Sequence, residues 1–468
     1  MADFLLDPRA RNLVRALGLP LPMPSPLARD TGPWQARPLA DQEILVGAAA
    51  DAALSPVVAA TLAAAGANPV LADPLLAPAF ADAGAAFGRP ARVALGEKAK
   101  DAHAALVFDA SGIRSVAQLR ALYDFFHEAA GSLRASGRVL VLGRAGDGDG
   151  PETAAARAAL DGFTRSLAKE IGRRGATANL VLVEAGAEAR VAGVVRFLLS
   201  RRSAFVTGQP VVVSSLAVGS AEPPFVRPLE KKTVVVTGAA RGIGEATARL
   251  LAQEGAHVVC VDRPGDEGPL SQLARTLGGT AVTADVTSPE AGARLAEVAR
   301  ARGGIDVIVH NAGITRDKTM ARMSQEQWDQ TMAVNLDAVV RLTAALEPHL
   351  REGGRVICLS SVAGLAGNVG QTNYAASKAA LVGYVRALAP RLAARGITVN
   401  AIAPGFIETR LTAAIPTAIR EVGRRLAALA QGGRPDDVGQ AIVFLSSPGA
   451  QGLTGRVLRV CGGAFIGA

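Results

Sequence analysis

The 468-residue sequence predicts an α/β protein made of two doubly wound parallel sheets in tandem. Three observations predict it. The chain is too long for one ordinary core. Short apolar runs alternate with Ala-rich stretches from residue 43 onward, the rhythm of parallel strands covered by helices. The second half of the chain repeats the first. Composition agrees: 49% hydrophobic, 19% charged and only 4% aromatic residues suit a folded protein whose buried strands face small aliphatic helices.

Residues 1–40 read as an arm, an amphipathic piece at 7–17 followed by a proline-rich run at 19–26 that is stiff and suited to lying across a surface. Residues 41–220 form a first domain, with strands expected at 43–46, 69–72, 105–108, 138–142, 179–183 and 210–213. A second proline-rich linker occupies 221–228, and the rhythm restarts in a domain at 229–468. Residues 153–163 match 374–384 at an offset of 221, which holds through Asn179 and Asn400. Phe197 and Thr207 match Phe444 and Thr454 at 247. The growth of the offset places an insertion at roughly 408–437 of the second half, where a substrate lid belongs.

The net charge of +9 comes from 43 arginines and seven lysines spread along the chain. No basic run or basic-aromatic stripe points to nucleic acid. Cys260, Cys358 and Cys461 are too few for a disulfide framework, and neither they nor the histidines have metal-ligand spacing, so no metal is expected. The N-terminus does not read as a signal peptide. The apolar stretch at 44–72 is broken by Asp51, Pro56, Asn68 and Pro69, which argues against a membrane span. A cytoplasmic protein is the expectation.

The motifs lie in the second half. A Val-rich strand at 233–236 runs into Gly238, Arg241, Gly242, Ile243 and Gly244, and a helix follows. Glycines there allow a tight turn and bring backbone N–H groups close to a pyrophosphate at the helix N-terminus. The next strand ends at Asp262, 18 residues past Gly244, where a carboxylate accepts from ribose hydroxyls and repels a 2′-phosphate. That favours NADH; Arg241 and Arg263 beside it keep NADPH open. Tyr374 and Lys378 stand at i and i+4, on one helix face. An ammonium there is expected to lower a phenol pKa from its usual ~10. Ser361 follows the strand at 356–359.

In this order, Gly238-x3-Gly242-x-Gly244, Asn311-Ala312-Gly313, Asn335, Ser361, Tyr374-x3-Lys378 and Pro404-Gly405 resemble a short-chain dehydrogenase/reductase across residues 229–468. The resemblance implies a Rossmann-like, nicotinamide-dependent oxidoreductase. Its candidate catalytic residues are Asn335, Ser361, Tyr374 and Lys378, with Asn335 anchoring a water that reloads the proton through Lys378. The implied cofactor contacts are Gly238, Arg241, Gly242, Ile243, Gly244, Asp262, Asp285, Val286, Asn311, Ala312, Gly313, Tyr374, Lys378, Pro404 and Gly405. His310 stands where the family commonly has a second Asn, and reads as a satisfied histidine. Asp285 alternatively caps its own loop.

The first half is degenerate. Aligned on the second, it puts Thr153 and Arg157 at Tyr374 and Lys378, Arg144 at Ser361, and Ala49, Ala53 and Ser55 at the three glycines, where a Cβ pushes a pyrophosphate away. The duplicated layout resembles the long form of 3-oxoacyl-[acyl-carrier-protein] reductases. That implies 3-oxoacyl thioesters on acyl carrier protein or coenzyme A as substrates, in fatty-acid metabolism, and a homodimer. Arg410, Arg420, Arg424 and Arg425 of the insertion are either a docking patch for acidic carrier or phosphate groups, or a solvated helix face. Oxidation of another secondary alcohol, such as a hydroxysteroid or sugar alcohol, and a scaffold with a vestigial reductase half remain alternatives.

Overall fold

The computed structural model describes residues 6–17, 23–94, 102–146, 150–219, 224–413 and 415–464. Residues 19–22 of the first proline-rich run and 221–223 of the expected linker lie outside the described residues. The chain forms two compact units: Met1–Ser215 with Pro416–Gly432 and Gly462–Ile466, and Leu216–Ile415 with Gly433–Cys461 and Gly467–Ala468.

The strands of the first unit are β1 (Glu43–Ala48), β2 (Asn68–Leu71), β3 (Arg92–Val93), β4 (His103–Asp109), β5 (Leu133–Arg144), β6 (Thr177–Val183) and β7 (Pro210–Val213). Among the described residues they form one parallel sheet in the order β3-β2-β1-β4-β5-β6-β7. The second unit repeats the plan with β8 (Thr233–Thr237), β9 (His257–Asp262), β10 (Thr280–Thr283), β11 (Ile305–His310), β12 (Leu350–Leu359), β13 (Thr398–Pro404) and β14 (Val457–Val460), ordered β10-β9-β8-β11-β12-β13-β14. The chain is therefore the expected α/β protein with two Rossmann-like sheets in tandem. All six strands anticipated in the first half are present; the two-residue edge strand β3 carries too little pattern to be read from sequence.

Central strands are apolar on both faces because helices cover both sides. In β8 every residue is buried, and Val235, Val259, Ile308, Val356 and Val399 meet helix residues such as Leu342, Leu381 and Val385 in one core. Burying each such side chain contributes about 1.5–3 kcal/mol. Strand order reverses between β1 and β4, and between β8 and β11, which opens a crevice beyond the carboxyl ends of those strands.

Residues 25–33 of the arm lie against the first unit. Ser25 N donates to Arg173 O at 3.0 Å, and Arg202 Nη2 donates to Gly32 O and Pro33 O at 2.9 and 2.7 Å. The inserted segment divides: Pro416–Gly432 belongs to the first unit, where Gln431 Nε2 donates to Ser25 O at 2.8 Å. A Cβ on Gly172 would stand 2.3 Å from Ala428 O, so glycine is required for that approach. The docking patch considered for the insertion is corrected by the fold. In the helix Thr417–Arg425, Arg420 and Arg424 are buried, Arg424 pairs with Glu421, and Arg425 donates to Glu421 and Ala430 O. Of the four arginines Arg410 alone is exposed.

The crevice of the first unit is filled from within. Asp109, the last residue of β4, accepts from Leu54 N and Ser55 Oγ at 2.9 Å each through Oδ2, and from Ser111 N at 3.0 Å through Oδ1. A carboxylate of the chain thus occupies the start of the helix Ser55–Ala64, where a pyrophosphate would bind, and Pro56 in its first turn has no N–H to offer. Asp109→Ala leaves three buried donors unsatisfied and is expected to destabilise this unit by about 1–3 kcal/mol, read as a lower unfolding midpoint. An unchanged midpoint would refute that role.

Candidate active site

Register sets the site. Val234, Val235 and Val236 of β8 pair with Val307, Ile308 and Val309 of β11, which brings the Gly238 turn and Asn311 to the same end of the sheet. Asn311 Nδ2 donates to Thr237 O and Gly238 O, both at 2.9 Å. Thr237 Oγ1 accepts from Asn311 N and Ala312 N at 3.1 Å. Thr237 was not singled out from sequence, because its neighbours at 311–312 are far away in the chain.

The glycines differ in purpose. Gly238 (φ +66°) and Gly244 pack the turn: an added Cβ would lie 2.9 Å from Ala312 Cα in one case and 2.0 Å from Gly238 O in the other. Gly242 (φ +61°) borders open space, with nothing within 4 Å of an added Cβ. The helix Gly242–Gln253 that it opens has no side-chain cap on its first turn. Uncapped N–H groups behind a space kept clear of side chains fit a dinucleotide pyrophosphate.

At the next strand end Asp262 accepts from Ala240 N and Arg263 N, each at 2.9 Å. Asp266, largely buried, pairs with both Arg241 and Arg263; hydrogen bonds from Arg263 and then Arg241 hold its carboxyl below the usual range. Asp285 accepts from Thr287 N and Oγ1 at 2.9 and 2.7 Å and so caps its own turn, while Val286 packs on the core. His310 ends β11, is buried against Thr343 Oγ1 at 2.9 Å, and is pushed down to about 4 by burial, hence neutral.

The structure brings the four candidate catalytic residues together. A cavity of about 200 Å³ is lined by Ile243, Asn311, Gly313, Ser361, Tyr374, Lys378, Pro404 and Gly405, together with Ile314, Ile407, Thr409 and Thr412, which sequence reasoning did not name. Gly238, Arg241, Gly242, Gly244, Asp262, Asp285, Val286 and Ala312 are not part of this lining, and Asn335 is buried behind it. Ser361 caps the helix Val362–Ala366, its Oγ accepting from Ala363 N at 3.1 Å, and lines the cavity together with Tyr374. Tyr374 and Lys378 share the helix Thr372–Leu392, with Nζ 5.7 Å from the phenol ring centroid.

Lys378 is fully enclosed, donates from Nζ to Leu359 O at 2.7 Å, and is pushed down to about 8 by burial. Tyr374 moves the other way from expectation. Burial raises its pKa, which the Ser361 hydrogen bond offsets in part, and the negative charge of Asp317 adds to the rise. Desolvation disfavours the phenolate more than the Ser361 hydroxyl favours it.

Asn335 lies in a π-helical turn, Ala333–Asp337, a local widening frequent at functional sites. Its Oδ1 accepts from Ile314 N at 2.8 Å, and its Nδ2 donates to Ile314 O and Ser377 Oγ at 3.0 and 3.1 Å. A Cβ on Gly313 would be 3.3 Å from both Asn335 Oδ1 and Lys378 Nζ, which is why glycine ends the Asn311-Ala312-Gly313 run. Asn373 is a further clamp. Fully buried, it donates to Arg316 O, Gln327 O and Thr331 Oγ1 at 3.0–3.1 Å and accepts from Tyr374 N at 2.7 Å. Its place directly before the tyrosine was the one signal available in the sequence.

A family model described as enoyl-(acyl carrier protein) reductase matches residues 238–464. The 3-oxoacyl-[acyl-carrier-protein] reductase FabG of Thermotoga maritima is 42% identical over 246 residues, 51% of this chain and 99% of the relative. FabG of Escherichia coli is 40% identical over 247 residues, and nodulation protein G of Azospirillum brasilense 40% over 242, each covering about half of this chain and 98% of the relative. This chain is thus about twice as long as these relatives, and the similarity is confined to its second half. With the Gly238 turn, the Asn311 run and the Ser361-Tyr374-Lys378 cluster in one crevice, the chain belongs to the short-chain dehydrogenase/reductase family, whose members are nicotinamide-dependent oxidoreductases.

Proposed function

We propose that this protein reduces 3-oxoacyl thioesters, carried on acyl carrier protein or coenzyme A, to 3-hydroxyacyl thioesters with NADH, as a cytoplasmic homodimer serving fatty-acid metabolism. The observation that carries the reading is the convergence of Ser361, Tyr374 and Lys378 on one cavity that Asn311 and Gly313 also line. The FabG relatives, whose names state this substrate class, support it.

When bound, the nicotinamide supplies hydride to the carbonyl carbon. Everything else falls to side chains of the chain. Ser361 Oγ accepts from Ala363 N, so its own proton is left to donate to the substrate carbonyl oxygen. Tyr374 Oη, kept protonated by burial, delivers its proton to that oxygen as negative charge develops there. The phenolate so formed is adjacent to Lys378, whose ammonium stabilises it at the moment it appears. Lys378 Nζ also faces Gly313 and would hold the nicotinamide ribose. Asn335, its side-chain amide engaged by Ile314 and Ser377, would anchor the water that returns a proton through Lys378. Asp262 would take the adenine-side ribose.

The preference for NADH rests on Asp262 and on Asp266, which pairs both arginines that would otherwise meet a 2′-phosphate. Asp266→Asn releases them, and the ratio of kcat/KM for NADPH over NADH should rise roughly tenfold. An unchanged ratio removes Asp266 from cofactor choice.

Tyr374→Phe, assayed with acetoacetyl-coenzyme A, should lower kcat by about 10²–10⁴-fold with little change in NADH affinity by fluorescence titration. Full turnover would overturn the mechanism.

The buried ammonium of Lys378 sets a pH dependence. A lysine in the unfolded chain keeps its proton up to ~10.4. In the fold Lys378 loses it near about 8, so the folded state binds fewer protons between those values and stability rises with pH there. Below about 8 the buried charge is destabilising throughout. Lys378→Met should therefore raise the unfolding midpoint at pH 7, with a smaller gain at pH 10, while turnover is lost; a midpoint lowered equally at both pH values contradicts this.

A further inference from the structure

A second cavity, of about 310 Å³, lies in the first unit at the end of the sheet opposite its crevice. It is bounded by the arm, by the starts of β1 and β4, by the Arg138 region of β5 and by the turn at 199–201. Its charged lining is one-sided: Arg37, Arg134, Arg138 and Arg201 against the single carboxylate of Asp30. Arg138 is 3% exposed. Its Nε donates to Ser200 O at 3.1 Å, and its Nη1 to Ser136 O and Gly137 O at 2.7 and 3.1 Å. Its Nη2 is buried with no acceptor.

The duplicated unit shows what such an arginine normally meets. Ala105 pairs with Arg138 between β4 and β5 as Val307 pairs with Arg355 between β11 and β12, so Arg355 is the counterpart of Arg138. Arg355 Nη1 donates to Gly353 O and Gly354 O in the same way, but its Nη2 donates to Gln451 Oε1 at 2.6 Å. The offset of 247 puts Ala204 at Gln451, and a methyl group accepts nothing. The same register puts Ala104 at Asp306. In the second unit Asp306 accepts from Lys232 Nζ at 3.0 Å and Arg351 Nη1 at 2.5 Å. The first unit thus lacks the amide oxygen that Arg355 meets and the carboxylate that Arg351 meets, while keeping arginines at both places, Arg138 and Arg134, which with Ala104 line the cavity.

We propose that this cavity binds a phosphate-bearing small molecule, whose oxygens take the places held by Gln451 and Asp306 in the second unit. Guanidinium forks match phosphate oxygens in geometry, and several converging on one cavity favour a multiply charged anion over a monocarboxylate. The volume is in the range of small-molecule sites and exceeds what a lone inorganic phosphate fills. The site is independent of the reductase reading, since none of its residues belongs to that unit.

Isothermal titration of the full-length protein with pyrophosphate, with inorganic phosphate as a second arm, tests the site. Pyrophosphate should bind with Kd below about 1 mM and more tightly than phosphate. Arg37→Ala and Arg201→Ala, both at exposed positions, should each weaken it at least about fivefold. Ala104→Asp, which restores the carboxylate of the second unit, should abolish it. Gly242→Val, which obstructs the other anion cradle, should leave it unchanged. Absence of binding, binding that survives Arg201→Ala and Arg37→Ala unaltered, or binding lost in Gly242→Val would each overturn the assignment. If Ala104→Asp fails to fold, the two exposed-arginine variants decide alone.

Discussion

The side-chain amide of Asn311 is the interaction on which the second unit depends. As a donor it holds the carbonyls of Thr237 and Gly238, and so fixes the glycine turn against Gly244 of the helix that follows. The first turn of that helix carries no side-chain cap. Asp109 stands at the corresponding strand end of the first unit, and its carboxylate can only accept. It therefore takes the N–H of Leu54 and the hydroxyl of Ser55 for itself. The exchange of an amide for a carboxylate at one strand end separates a crevice suited to an anion from one already carrying its own.

Closure of the site follows from the same turn. Gly313, two residues past Asn311, packs between Asn335 and Lys378, and Ile314 is held from both sides by the Asn335 amide. Asn335 then reaches Ser377 Oγ, which donates to the carbonyl of Tyr374. Asn373 fixes the same helix to the loop at Arg316 and to the helix Gln325–Met332. Buried amides with every donor engaged are rigid, because breaking any one bond strands a polar group away from water. That rigidity holds the Lys378 ammonium at a depth where its charge is unfavourable and its acidity is raised. The stability lost there is the counterpart of having a proton donor poised near neutral pH.

The two units also show how duplicated frameworks diverge. Both retain the strand order, the buried arginine at the start of the fifth strand and the asparagine pairs Asn179 and Asn400, which tie their strands to the following loop through Val206 O and Leu453 O. Such residues maintain the sheet in either copy. The differences fall at strand ends, where side chains face space instead of neighbours, and where a change of charge alters what the surface binds without unravelling the core.

Much of this was written in local sequence. Alternating apolar and Ala-rich runs determine the strands and helices, since each strand needs only its own buried faces. The order of Gly238, Asn311, Asn335, Ser361, Tyr374 and Lys378 determines the family, and the 221 and 247 offsets determine the duplication. What depends on residues distant in the chain was decided only by tertiary structure. The phenol of Tyr374 moves upward in pKa because it is buried, and burial is not visible in a spacing. Arg420, Arg424 and Arg425, which look like a solvated face, turn toward Thr417, Glu421 and Ala430, and their helix joins the first unit. Asp109 and Asn311 carry no motif that announces their opposite hydrogen-bonding roles; only the strand register that sets each beside a helix start gives them meaning.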